Sequence, residues 1–138
     1  MSENLKKYSP VSVYLMVNDG NAALDFYQRA FAAIVTETYP YEGKLGHATL
    51  KVNGSDVMLS DEFPGAITGV RSPKSLGGTT CSVSLSVDDA DAWFERAQAA
   101  DAEVIRPLKD EFYRRSGKLR DPFGHTWGIV GPVKTTKS

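Results

Sequence analysis

Displacing the chain by 70 positions lays it on itself. Val13, Leu15 and Val17 fall on Val83, Leu85 and Val87, Asp19 on Asp89, Ala22 on Ala92, Leu24 on Phe94 and Gln28 on Gln98. Ile34-Val35 meets Val104-Ile105. Toward the end of each half Gly54 meets Gly124, Val57 meets Trp127 and Leu59 meets Ile129. A single offset that runs through an alternating stretch, a helical stretch and a later alternating stretch implies two copies of one supersecondary unit. Apolar alternation alone does not explain it, because the polar matches Asp19/Asp89 and Gln28/Gln98 keep the same register. A chain of 138 residues has room for two such units around one core.

Each unit reads as β-α-β-β-β. Val11, Val13, Leu15 and Val17 alternate with Ser12, Tyr14 and Met16, the period of a strand. Asp19 or Asn21 can cap the helix that follows, in which Ala23, Phe26, Tyr27, Ala30 and Phe31 form one apolar stripe. Strands are expected over 34–38, 45–52 and 56–61, the last two joined at Asn53-Gly54, a pair suited to a turn with positive φ at both central residues. The second copy places a strand over 81–87, a helix over 89–100, a strand over 103–107 and two strands flanking Asp121-Pro122-Phe123-Gly124. The first unit spans 10–62 and the second 80–131. Residues 63–79 read as a flexible connecting loop, and the first nine residues and Lys134–Ser138 as frayed ends. The predicted class is α+β: two tandem βαβββ modules forming a curved mixed sheet around a cavity.

Charge narrows the function. Sixteen Lys and Arg face seventeen Asp and Glu, a net charge of −1. This balance argues against nucleic acid as a partner. No apolar run suggests a membrane span or a secretory leader, and the single cysteine suits a reducing compartment, so a cytoplasmic protein is expected.

Strand alternation assigns the faces. Val13, Leu15, Val17, Ala48, Leu50, Val57 and Leu59 should lie beneath the first helix, with Val83, Leu85 and Val87 beneath the second. Tyr14, Met16, His47, Thr49, Met58 and Ser60 then share the opposite face, and Ser82, Ser84 and Ser86 occupy the corresponding face of the second unit. A mixed polar and apolar face on a curved sheet suits a small molecule, with Tyr14, Met16, His47, Met58, Ser60 and Ser84 as the expected lining. His47 is the candidate acid/base or hydrogen-bonding group; the alternative is a histidine bonded to Ser60 or Tyr14. His125 reads as a partly exposed turn residue and Trp127 as core. Asp61 and Glu62 read as a solvated strand end, Arg114, Arg115, Lys118 and Arg120 as charges on an exposed hairpin, and Cys81, with the parity of Val83, as buried.

Three stretches carry a family resemblance: Asp25-Phe26-Tyr27 with Ala30-Phe31, GKLGHATLKVNGSDVMLSDEFP at 43–64, and RSGKLRDPFGHTWGI at 115–129. With the tandem βαβββ pattern, they resemble the vicinal oxygen chelate superfamily of glyoxalase I, bleomycin-resistance proteins and extradiol dioxygenases, and within it the PhnB-like branch. The resemblance implies a ligand cavity walled by curved sheets and frequently completed by a homodimer. It also implies four metal-ligand positions, which map here to Ser12, Met58, Ser82 and Gly128. None is His, Glu, Asp or Cys, so no catalytic metal and no cofactor are expected. The expected function is binding of a hydrophobic or aromatic small molecule. The alternative is a lyase-, isomerase- or dioxygenase-like enzyme using His47 or a displaced metal site.

Overall fold

A computed structural model describes residues 8–64 and 68–134. The ends expected to fray at 1–7 and 135–138, and residues 65–67 of the connecting loop, lie outside the described residues. Strand β1 (Val13–Val17), helix α1 (Gly20–Phe31), β2 (Ile34–Tyr41), β3 (Lys44–Val52) and β4 (Ser55–Asp61) make the first module. A short helix α2 (Pro73–Leu76) lies in the connection. Then β5 (Ser82–Ser86), α3 (Ala90–Ala99), β6 (Glu103–Glu111), β7 (Arg114–Arg120) and β8 (Thr126–Pro132) repeat the pattern.

The repeat is visible in the local chemistry. Asp19 and Asp89 each cap a helix, accepting from the amides of Ala22 and Ala92 at 3.1 and 3.2 Å. At the β3–β4 turn Asn53 and Gly54 have φ of 47° and 87°, and Val52 pairs with Ser55 as that turn requires.

The curved sheet is built in two halves, β1-β4-β3-β2 and β5-β8-β7-β6. In each, the first and last strands of the module run parallel and the other pairs antiparallel. Strands β1 and β5 are edges with no ladder between them. The opposite edges, β2 and β6, carry Pro40 and Pro107 beside irregularities in register, which blunts them against further strand pairing.

Both sheets turn their apolar faces into one shared core. Helices α1 and α3 pack together within it. Phe31 of the first module meets Trp127 of the second at a ring-centroid distance of 4.5 Å, and Tyr27 meets Trp127 at 5.5 Å. Val17, Leu50, Leu59, Leu119 and Ile129 are buried around them. Because both apolar faces point inward, the polar face of each sheet points out of the molecule.

Readings change at Cys81, at Asp61 and at the N-terminal end, and His125, partly exposed as expected, gains a partner in the other module. Cys81 is exposed, because β5 begins one residue later and strand parity does not extend to it. Asp61 is buried, not solvated: its carboxylate accepts the amides of Gly20 at 2.8 Å and Leu45 at 2.7 Å. His125 is half-buried, with Nε2 2.8 Å from the Met16 carbonyl, so it links the modules. At the N-terminal end Tyr8 bonds Glu37, and the Ser9 amide donates to Asp56 at 2.6 Å, so these two residues are held.

The connecting segment is also more ordered than a plain linker. Ser72 caps α2, and Glu62 accepts the Ser72 amide at 2.7 Å and the Ser75 hydroxyl at 2.8 Å. Hydrogen bonds from Ser72, and then from Ser75, pull the Glu62 carboxyl down to about 2. A folded-state value below the unfolded one contributes stability that is present above the ordinary carboxylate range and lost as pH falls toward 2. Amide exchange at Ser72 should therefore quicken, relative to a surface reference helix, between pH 4.5 and 2. Glu62→Gln should show the quicker exchange already at neutral pH; unchanged exchange would mean the contact does not hold α2.

Candidate functional site on the outer face of the first sheet

Pairing across the first sheet sets Tyr14, Met58, Thr49 and Glu37 in one row. The neighbouring row contains Met16 opposite Ser60, and Tyr39 opposite His47. The Tyr14 hydroxyl lies 2.8 Å from His47 Nδ1, and His47 Nε2 lies 3.0 Å from Thr49 Oγ1. Tyr14 and Tyr39 flank the imidazole at centroid distances of 5.4 and 6.0 Å. Tyr14 is 43% exposed and Tyr39 56%, His47 and Met58 are half-buried, and Thr49 is buried.

This arrangement holds the histidine rather than freeing it. A neutral imidazole donates from one nitrogen and accepts at the other, and a hydroxyl can take either part. The Tyr14–His47–Thr49 chain thus satisfies both nitrogens in either tautomer. A ligand that reaches His47 does so by exchanging with the Tyr14 hydroxyl. Met58 and the two tyrosine rings supply apolar wall beside these polar handles.

The six expected lining residues do not all converge. Tyr14, His47 and Met58 come together on the outer face. Met16 and Ser60 are buried, and the Ser60 hydroxyl is bonded to the Asp61 carbonyl at 2.9 Å and to the Met16 sulfur at 3.2 Å. Ser84 lies on the outer face of the other sheet, because the core is shared between the sheets rather than enclosed by one of them. Sequence parity had put Thr49 on the correct face but not in the site. Tyr39 was missed because the strand expected over 34–38 stops one residue short of it, whereas β2 runs to Tyr41, with a register shift between Val35 and Glu37 that alternation does not carry across. Of the basic hairpin residues, Arg115 points to the helix side and pairs with Asp91 at 3.0 Å and Asp110 at 3.3 Å.

A groove of about 530 Å³ adjoins the site between β1, α2 and the start of β5. Tyr14, Met16, Val70, Leu76, Cys81 and His125 are among its walls. No helix among the described residues is long and apolar enough to cross a membrane.

Residues 9–129 match the glyoxalase/bleomycin resistance protein/dioxygenase superfamily. The chain belongs to that superfamily. It is 43% identical to the Mycobacterium tuberculosis protein Rv0887c over 127 residues, 90% of this chain and 75% of that one. The crystal structure of TioX from a Micromonospora species superposes with a TM-score of 0.73 at 30% identity, covering 91% of this chain and 99% of that one. A PhnB protein from Bacillus cereus shares the fold, with a TM-score of 0.65 at 21% identity over 88% of this chain and 98% of its own.

Within this superfamily member, the metal-ligand positions implied by resemblance are chemically unsuited to a divalent cation. Ser12 lies just ahead of β1, and its hydroxyl donates to the Ser9 carbonyl at 3.4 Å. Met58 is a thioether in the Tyr14–Thr49 row, Ser82 is an exposed hydroxyl and Gly128 has no side chain. That set brings no negative charge and no imidazole to offset dehydration of the ion. Among the described residues, no group of three or more His, Cys, Asp or Glu side chains is placed to hold a metal.

Proposed function

We infer that this superfamily member binds a small apolar or aromatic molecule on the outer face of its first sheet, at Tyr14, His47 and Met58, and does so without a catalytic metal. The observation that carries the reading is the Tyr14–His47–Thr49 hydrogen-bond chain, flanked by Met58 and the Tyr39 ring on the sheet face opposite α1. It offers aromatic and thioether surface with one or two polar handles, the usual balance of a small-molecule site. A histidine with both nitrogens engaged by hydroxyls serves recognition better than proton transfer. The donor set at the superfamily's metal positions supports the same reading.

A homodimer would complete the cavity by placing the outer face of the second sheet, with Ser84, of another copy over this one. Exposed Ile34, Tyr39 and Tyr41 beside the site support an interface there. The exposed free thiol of Cys81 fits a reducing, cytoplasmic setting.

Native mass spectrometry of protein taken directly from cells tests these points together. The expected species is two chains of 15.1 kDa each, with a retained organic molecule and no stoichiometric metal. Tyr14→Ala and His47→Ala should each lower the retained fraction by about tenfold, the loss of one buried hydrogen bond and its packing. Their thermal midpoints should barely move, since neither side chain belongs to the core. Retention unchanged in both variants would place the ligand elsewhere. Stoichiometric metal that disappears in His47→Ala would replace the binding reading with a metalloenzyme.

A further inference from the structure

The outer face of the second sheet differs in chemistry from that of the first. Strand pairing places Ser84, Gly128, Lys118 and Arg106 in one row across the sheet. The next row holds Ser86, Val130, Ser116 and Lys109, and Arg114 follows on β7 opposite Glu111. Hydroxyls therefore line the β5 side and cations the β6–β7 side. Five cations on this face, the four named and Arg120, meet only two carboxylates. Glu111 pairs with Arg106 at 3.3 Å, and Glu103 pairs with Arg120 at 3.1 Å. Lys109, Arg114 and Lys118 have no carboxylate within ion-pair distance among the described residues. The patch sits on a chain whose net charge is −1, so it is a local concentration and not general basicity.

Two further features mark the centre of this patch. Ser116 is only 3% exposed, yet its hydroxyl has no hydrogen-bond partner among the described residues. A buried hydroxyl left unpaired costs roughly 1–3 kcal/mol, and native folds keep few of them without a use. Beside it, a Cβ added at Gly128 would find nothing nearer than 4.0 Å, which leaves open floor between Ser84 and Lys118. Along the bulged strand β6 on the same sheet, an open depression of about 590 Å³ is walled by Arg106, Pro107, Leu108, Lys109, Glu111 and Arg114.

We propose that the outer face of the second sheet is an oxyanion site: the Ser116 hydroxyl and the Lys118 ammonium, flanked by Lys109 and Arg114, bind a phosphate, phosphonate or carboxylate group carried by a small molecule. A hydroxyl donor at the base of the site and mobile cations around its rim form charge-assisted hydrogen bonds that a neutral ligand does not supply. The Gly128 gap admits the body of the molecule beside its charged end. In the homodimer proposed above this face would lie opposite the first-sheet site of the other copy and so deepens that reading, but shifts at 114–118 report the anion site whether or not Tyr14 and His47 hold a ligand, so the two fail separately.

Inorganic phosphate is the probe. The protein is titrated at constant ionic strength, with chloride as the balancing ion, while amide resonances are followed by ¹H–¹⁵N NMR. Saturable shifts are expected at 114–118 and 128–130, with none at Lys74 on α2. Lys118→Met should weaken phosphate binding by about tenfold, as loss of one charge-assisted contact does, and Ser116→Ala by about threefold. Ser116→Ala removes a hydroxyl that bonds nothing in the protein, so its thermal midpoint should not fall, and weakened binding in that variant reports the site and not the fold. Lys74→Met should bind as the parent does. Shifts that grow linearly without saturating, that appear equally at Lys74, or that persist undiminished in both Lys118→Met and Ser116→Ala would overturn the proposal.

Discussion

Asp121→Ala is expected to cost about 4 kcal/mol of stability and to lower the thermal midpoint by roughly 10–15 °C. Asp121 is 3% exposed, and four donors converge on its carboxylate. The Tyr27 hydroxyl donates at 2.5 Å and the Trp127 indole at 3.0 Å, to the same oxygen. The amides of Phe123 and His125 donate to the other oxygen at 2.9 and 3.0 Å and close the turn before β8. Alanine leaves all four without an acceptor in a region that water does not reach. Removing a partner while burying what it served is the costly direction of such a change. Tyr27→Phe, which deletes one of the four bonds and keeps the ring packing, should cost about 1–2 kcal/mol. Chemical denaturation of the two variants and the parent gives the comparison. Equal stability of Asp121→Ala and parent would remove this carboxylate from the core's account.

The same contact makes stability sensitive to alkali. Burial, and then the Asp121 charge, push the Tyr27 phenol well above its ordinary value of 10.0. A folded-state value raised above the unfolded one contributes stability that is complete below the unfolded value and lost as pH rises beyond it. Unfolding should therefore become easier above about pH 10, and less steeply so in Tyr27→Phe.

Asp61→Ala is expected to cost about 2–3 kcal/mol, the second-largest effect. Its carboxylate joins the start of α1, through the Gly20 amide, to the start of β3, through the Leu45 amide. Space at this junction is as tight as the hydrogen bonding. A Cβ on Gly20 would lie 2.6 Å from the Leu45 Cβ and 2.9 Å from Asp61 Oδ2. Gly20→Ala gains at most about 1 kcal/mol in helix propensity. The crowding, against a backbone-proximal atom and a fixed carboxylate, costs about 1–3 kcal/mol and should win. Both variants should melt below the parent. A more stable Gly20→Ala would show that the junction yields without strain.

These two aspartates mark where sequence reasoning stops. Asp61 reads as a solvated strand end because charged residues usually are solvated, and nothing adjacent to it announces a buried role. Its donors are 41 and 16 residues away. The link from Asp121 to Tyr27 spans 94 residues and crosses from one module to the other. Cys81 failed for a simpler reason: alternation was extended one residue past the true start of β5. Tyr39 escaped because the expected strand ends at Thr38 while β2 continues to Tyr41, past a register shift between Val35 and Glu37. Ser84 was grouped with Tyr14 and His47 because alternation assigns a residue to one side of its own strand only. It does not say which way that side faces once two sheets share a core.

What the sequence determined by itself is the set of short-range and repeated features. The 70-residue offset carried the βαβββ unit and its duplication, Asp19 and Asp89 capped the helices they precede, and Asn53-Gly54 set the β3–β4 register. Each of these depends on backbone preference or on side-chain period within a few residues, which is why it can be read without a fold. The tertiary structure alone decided that both apolar faces meet in one core and that the Tyr14–His47 face and the Ser116–Lys118 face look outward from different sheets. It also decided which carboxylates are buried. Such outcomes depend on which distant donors and surfaces are brought into contact, and hydrophobic burial, being non-directional, leaves no periodic trace of that choice along the chain.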